Sequence, residues 1–232
     1  MQQIKVLSGG AAQGLIGALE PRFAAETGAG IDGTFSAVGA MRDKLLAGAA
    51  ADLVILSRAM IGALVASGHL EGPGADLGVV RTAVAVRAGD AVPAIATADE
   101  LRGALLAADA LYTPDPKLAT AGIHFIGVLD KLGIKAAVLA RVRTFPNGMT
   151  AMRAMAAEPS GNPIGCTQVT EILHTPGLAL VGALPQQFEL ATVYTAAVTA
   201  HAGSKPLARR LMALLCGADA AAARRQCGFE AA

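Results

Sequence analysis

Two short turns of small residues carry the first chemical signal in the chain. Ser8-Gly9-Gly10-Ala11 follows the apolar run Ile4–Leu7, and Ser36-Ala37-Val38-Gly39 follows Ile31–Phe35. Each stands where a strand pattern gives way to a helix pattern. A serine hydroxyl beside free backbone N–H groups at a helix start makes a seat for an anion. Taken singly, each is an ordinary tight turn; two such seats close together in the chain point to a small-molecule site assembled from loop ends. His124 lies one turn into a helix pattern that begins near Thr120, and an imidazole there could carry a proton because it titrates near neutrality. Cys166 ends an apolar strand pattern, where a small core thiol and a nucleophile are both open readings. His69, His174 and His201 show no metal-ligand spacing, and no metal or cofactor is expected. No P-loop and no G-x-G-x-x-G follows the first strand pattern.

Composition bounds what such a site could serve. The 232 residues are long enough for one moderate domain or two small lobes. Apolar residues make up 53% and charged residues 16%, which excludes a disordered chain. The net charge is +1, with no Trp and no basic block, so no nucleic-acid surface is expected. The pairs Arg209-Arg210 and Arg224-Arg225 read as solvated helix faces. No uncharged apolar run reaches the roughly 18 residues of a membrane span, and no direct membrane insertion is expected. Cys166, Cys216 and Cys227 are too widely spaced for a zinc site, and their odd number argues against a disulfide framework. Residues 6–19 are uncharged and follow Lys5, which loosely mimics a signal peptide. The stretch is too rich in Gly, Ser and Gln for an apolar signal core, and it reads as the opening strand of a fold. The expected location is cytoplasmic if the chain is complete and periplasmic if a signal was removed.

The elements that must position these residues alternate from the outset. Strand patterns cover 3–7, 31–36, 52–57, 79–87, 109–112, 164–167, 178–184 and 189–200. Helix patterns cover 11–27, 39–48, 59–67, 98–108, 120–133, 148–157 and 204–216, with Pro21 expected to kink or interrupt the first. Thr97 with Glu100 makes a capping box, and Gly28, Gly48, Gly68 and Gly133 stand at helix stops. Strands spaced by helices imply βαβ units and a mainly parallel sheet. The two long apolar strands near 79–87 and 189–200 suit connectors crossed twice between lobes. Lobe one is then 1–83 plus 193–232, and lobe two is 84–192.

The chain resembles the molybdate-binding proteins of ABC importers and their wider relatives, a group that includes aconitate isomerase. The resemblance rests on the strand–turn–helix at Ser8, on FSAVGAMRDKLLAGAAADLVILS at 35–57 and on DPKLATAGIHFIGVLDKLGI at 115–134. It continues through GNPIGCTQVTEI at 161–172, ATVYTAAVTA at 191–200 and GFE at 228–230. It implies an α/β, two-lobed type II periplasmic binding protein fold, each lobe a mainly parallel sheet flanked by helices, with a ligand cleft between lobes. It also implies an anion held by neutral donors. Matched by motif, Ser8 and Gly9 supply one seat, and Ala37 and Val38 a second with Ser36 beside them. Ser57 and Arg58 follow the third strand, Thr120 and Ala121 start a helix of lobe two, and Gln168 closes from the other side. Where the molybdate binders carry a serine pair, this chain has Ala37-Val38, and Arg58 adds a cation. An Arg pairs a planar carboxylate through two parallel hydrogen bonds, so the expected ligand is an organic carboxylate.

Two functions stay open. One is a solute-binding module for a small anion, which would work with an ABC permease only if exported. The other is a cofactor-free isomerase or tautomerase of small unsaturated polycarboxylates, in which Arg58 and the helix starts clamp and His124 moves the proton. A cytoplasmic sensor is a third and weaker reading.

Overall fold

The computed structural model of the protein describes residues 2–232. The chain divides into two compact units, Met1–Val80 with Thr192–Ala232, and Arg81–Ala191. In chain order the strands are β1 (Gln3–Gly9), β2 (Gly30–Ser36), β3 (Leu53–Ser57), β4 (Ala75–Arg87), β5 (Ala110–Pro114), β6 (Val142–Phe145), β7 (Pro163–Gln168), β8 (Leu178–Ala183) and β9 (Ala191–Val198). The helices are α1 (Gln13–Thr27), α2 (Val38–Leu46), α3 (Arg58–Ala66), α4 (Ala98–Ala107), α5 (Thr120–Lys131), α6 (Lys135–Val138), α7 (Gly148–Ala156), α8 (Val169–Leu173), α9 (Lys205–Cys216) and α10 (Ala221–Gln226). Among the described residues, no helix is long and apolar enough to cross a membrane.

In unit 1, β2, β1 and β3 run parallel, and β9 closes the row antiparallel to β3. Each parallel strand hands over to a helix, as the alternation of strand and helix patterns requires. Ile4, Leu15, Phe23, Leu53, Ile55 and Leu211 are fully buried in this unit. On α9, Leu211, Leu214 and Leu215 are buried and Leu207 half-buried, the stripe spacing of a docked helix; it packs against α1. Pro21 does not interrupt α1, which runs through it to a left-handed Gly28. The carbonyl that loses its donor is that of Gly17, four residues earlier and on the exposed face, where water can replace the bond.

In unit 2, β6, β5 and β7 are parallel, while β4 pairs antiparallel with both β7 and β8. Side chains alternate across this sheet. Val84, Val86, Leu111, Ile164 and Cys166 pack on one face with Leu101 and Leu105 of α4 and Phe125 and Leu129 of α5. Ala83, Ala85 and Tyr112 pack on the other with Ala151, Met152 and Met155 of α7. The capping box of α4 is formed: the Glu100 N–H donates to Thr97 Oγ1 at 3.2 Å, and the Thr97 N–H to Glu100 Oε2 at 2.9 Å.

Candidate anion-binding loops

Because β1, β2 and β3 are parallel, their carboxyl ends share one edge of the unit 1 sheet. Ser8 stands beside Phe35 and Ile55, and Gly9 beside Ser36. The register thus brings Ser8, Gly9, Ser36, Ala37, Val38, Ser57 and Arg58 to that edge, where α2 and α3 begin. No side chain caps α2 or α3, and neither carries an acidic residue in its first turn, so their N–H groups keep their positive end for an outside anion. Ser8 is fully buried and its hydroxyl donates to the Gly9 carbonyl at 2.8 Å. A Cβ on Gly9 would come within 2.7 Å of Val38 Cγ1 and 3.2 Å of Tyr194 Cε1. Val38 therefore closes over the first turn, where a serine would have offered a hydroxyl.

Arg58, at the first position of α3, faces the unfavourable end of the helix dipole. Asp76 of β4 compensates: Arg58 Nε donates to Asp76 Oδ1 at 3.3 Å, and Nη2 donates to Oδ2. Thr195 Oγ1 of β9 donates to Asp76 Oδ1 at 2.5 Å. The hydrogen bond from Arg58 holds the Asp76 carboxyl below its ordinary range; burial opposes it, and the Thr195 hydroxyl adds a smaller push the same way as Arg58. The Arg58 side chain is 57% exposed, so the pair is weakly held and its guanidinium stays within reach of a ligand.

Unit 2 repeats the arrangement with different residues. α5 starts behind β5, and a Cβ on Gly122 would sit 2.3 Å from the Pro114 carbonyl oxygen, so the first turn, with Thr120 and Ala121, lies against the strand end. That turn has no side-chain cap and no acidic residue. Gln168 ends β7; it is 3% exposed, and neither side-chain amide atom has a hydrogen-bond partner among the described residues. His124, further along α5, places Nε2 2.7 Å from the Phe188 carbonyl oxygen. Only a ring N–H can donate there, which leaves Nδ1 as the atom free to take a proton.

The start of α7 is used differently. Asn147 Oδ1 accepts from the Thr150 N–H at 2.9 Å, and the buried Glu171 reaches the same helix end. Its carboxyl accepts from Thr167 Oγ1 at 2.5 Å, and the nearby backbone N–H groups of Gln168, Met149 and Gly148 favour its charged form. Burial pushes the Glu171 carboxyl up against those bonds. Glu171 carries no signal in the sequence beyond an acidic residue in a short helix pattern; the Asn-Gly pair at 147–148 is the one local hint of its seat. Thr82 and Thr113 were also missed. Both are buried, with hydroxyls that lack a partner among the described residues, and the only signal was a threonine inside an otherwise apolar strand. Cys166 is fully buried, and desolvation pushes its thiol up, which suits a core residue. Arg143 donates to Tyr112 Oη at 2.5 Å and pairs with Glu158 at 2.6 Å, and Lys117 is exposed.

Each α/β unit gathers helix starts at the carboxyl ends of its strands, and the fold is that of periplasmic binding proteins. The structure superimposes on the periplasmic molybdate-binding protein of Azotobacter vinelandii with a TM-score of 0.78, at 19% identity over 99% of both chains. It superimposes on the sulfate-binding protein SubI of Mycobacterium tuberculosis with a TM-score of 0.76, at 20% identity over 99% of this chain and 86% of the other. In sequence it is 27% identical over 243 residues to an aconitate isomerase of Pseudomonas sp., covering 98% of this chain and 87% of the relative. The bacterial extracellular solute-binding protein family matches residues 4–230, and the chain belongs to that family.

Proposed function

We propose that the protein captures a small organic carboxylate, using the carboxyl-edge loops of unit 1 with Arg58 as the charged contact. The observation that carries this reading is the pairing of Arg58 with Asp76. The guanidinium already engages a carboxylate through two nitrogens, at a helix start whose N–H groups no side chain caps. A ligand carboxylate would take the same two-bond geometry. Ala37-Val38 supports the choice against a tetrahedral oxyanion, because that turn offers backbone N–H groups but no hydroxyl. Ser8, Gly9, Ser36 and Ser57 line the same edge; within unit 2, Thr120, Ala121 and Gln168 are proposed as that unit's own anion contacts. In an exported form, the loaded protein would deliver its ligand to an ABC permease.

A thermal-shift panel tests the reading. Tricarballylate, citrate and trans-aconitate should raise the melting temperature, and molybdate and sulfate should leave it unchanged. A shift with molybdate or sulfate alone would refute it.

The similarity to an aconitate isomerase favours a second reading, an allylic proton shift in the bound ligand. A base takes a proton from a methylene carbon, the double bond moves, and the proton returns to the former vinyl carbon, so atoms and charge balance. Nδ1 of His124 is the candidate carrier, with Nε2 anchored on the Phe188 carbonyl. Interconversion of cis- and trans-aconitate that survives His124→Ala unchanged would remove His124 from the role.

A further inference from the structure

Two aromatic rings lead away from the Ser8–Gly9 turn of unit 1. Tyr194 of β9 and Phe229 are both buried. They meet edge to face, with ring centroids 6.4 Å apart and planes at 87°. Tyr194 in turn lies against Gly9, where an added Cβ would sit 3.2 Å from its Cε1. Its backbone pairs in register with Ser57. Contacts thus run from the first anion turn through Tyr194 to Phe229.

Phe229 stands outside the helices and strands, on the short segment that follows α10. That segment is clasped to β4. The Val79 N–H donates to the Glu230 carbonyl at 2.9 Å, and the Glu230 N–H donates to the Val79 carbonyl at 2.8 Å. The Phe229 N–H donates back to the Arg224 carbonyl at 2.9 Å. Two glycines permit the approach. Gly228, at a φ of 91°, turns the chain out of α10. Gly78 has a φ of 145°, and a Cβ there would lie 2.3 Å from the Glu230 carbonyl oxygen. Val79 shares β4 with Asp76, the partner of Arg58. The clasp therefore fixes the strand that carries Asp76 as well as the ring that supports Gly9.

A seat built from backbone N–H groups holds an anion only where its turn is fixed, since donors must stand about 2.7–3.2 Å from the ligand oxygens. Gly9 and Gly10 have no side chains to fix it, so their neighbours must. We infer that Phe229 is a positioning residue for the unit 1 anion seat: clasped to β4 through Glu230, it holds the Tyr194 ring against Gly9. The inference rests on the reading of the unit 1 edge as the ligand site.

Phe229→Leu keeps an apolar side chain and removes the ring edge. Gly78→Ala forces the Glu230 carbonyl off β4 and tests the clasp independently. Phe23→Leu is the matched control, the same change at a fully buried ring well along α1. Each protein is titrated calorimetrically with tricarballylate, and hydrogen exchange of residues 8–12 is followed without ligand. Phe229→Leu and Gly78→Ala should each weaken binding about three- to tenfold and speed exchange of 8–12 by a similar factor. Phe23→Leu should melt lower than wild type with both readouts unchanged. In a Tyr194→Leu background, Phe229→Leu should weaken binding no further. Phe229→Leu that melts lower yet binds and exchanges like wild type would overturn the inference and leave Phe229 a core residue. Equal losses with and without the Tyr194 ring would overturn the route through Tyr194. Wild type that binds no tricarballylate would refute the carboxylate reading alone. Exchange of 8–12 is read without ligand, so faster exchange in Phe229→Leu would still support the clasp and unchanged exchange would overturn it.

Discussion

Gly148→Ala sets two physical rules against each other. Gly148 is the first residue of α7, and by helix propensity alone alanine should stabilise by up to about 1 kcal/mol. The structure reverses the sign. A Cβ there would lie 1.9 Å from Glu171 Oε2 and 2.0 Å from Thr167 Oγ1, so the buried carboxyl must leave its seat. The crowding costs about 1–3 kcal/mol, and each buried polar group stripped of its partner costs about 1–3 kcal/mol more. Against the propensity gain, the net loss should be about 3 kcal/mol. For a protein of this size that is a fall of roughly 6–12 °C in melting temperature. Gly62→Ala is the matched control: Gly62 lies within α3 with nothing within 4 Å of an added Cβ, so it should gain up to about 1 kcal/mol. Differential scanning calorimetry of both variants reads the contrast. A Gly148→Ala protein as stable as wild type would refute the seat assigned to Glu171.

Glu171 also gives stability a pH dependence. Its folded pKa is raised, so its contribution is fully present below the unfolded value of roughly 4.3 and is lost as pH rises through the folded one. Urea melts at increasing pH should show wild type losing stability relative to Glu171→Gln; a difference that stays flat or widens the other way would contradict the assignment. Gly9→Ala should weaken tricarballylate binding by distorting the Ser8 turn, and the added Val38→Ala should recover it by clearing the 2.7 Å contact; calorimetric titration of both variants checks this, and no recovery would place the fault elsewhere. Asp76→Asn removes the carboxylate that competes for Arg58, so tricarballylate should bind about three- to tenfold more tightly in the same assay. Weaker binding would show that the pair positions Arg58 instead of competing for it.

The α/β class, the strand-to-helix turns at Ser8, Ser36 and Ser57, and the start of α5 at Thr120 were legible in the sequence because they are local. A strand pattern, a small-residue turn and a helix pattern declare themselves within a few residues. The capping box at Thr97 and Glu100 was legible for the same reason. What escaped depends on distance or context. The strand β6 (Val142–Phe145) lies in a largely exposed stretch, with little alternation to mark it. Pro21 was read as a kink or an interruption because its own chemistry says so, while the exposed Gly17 face that lets the helix continue through it is a property of the packed helix. The link from Glu171 to the start of α7 joins segments whose approach no spacing rule encodes. Arg58 could be read as a cation at a helix start, but its partner Asp76 comes from another strand of unit 1. Thr82 and Thr113 look like ordinary strand threonines until the lack of a partner among the described residues singles them out.

The central claim is that a carboxylate arm meets Arg58. Calorimetric titration of wild type and Arg58→Gln with tricarballylate, beside molybdate as the competing ligand class, tests it most directly. Wild type should bind tricarballylate and not molybdate, and Arg58→Gln should weaken that binding by about tenfold or more. Molybdate binding by wild type, or tricarballylate binding indifferent to Arg58→Gln, would contradict the account.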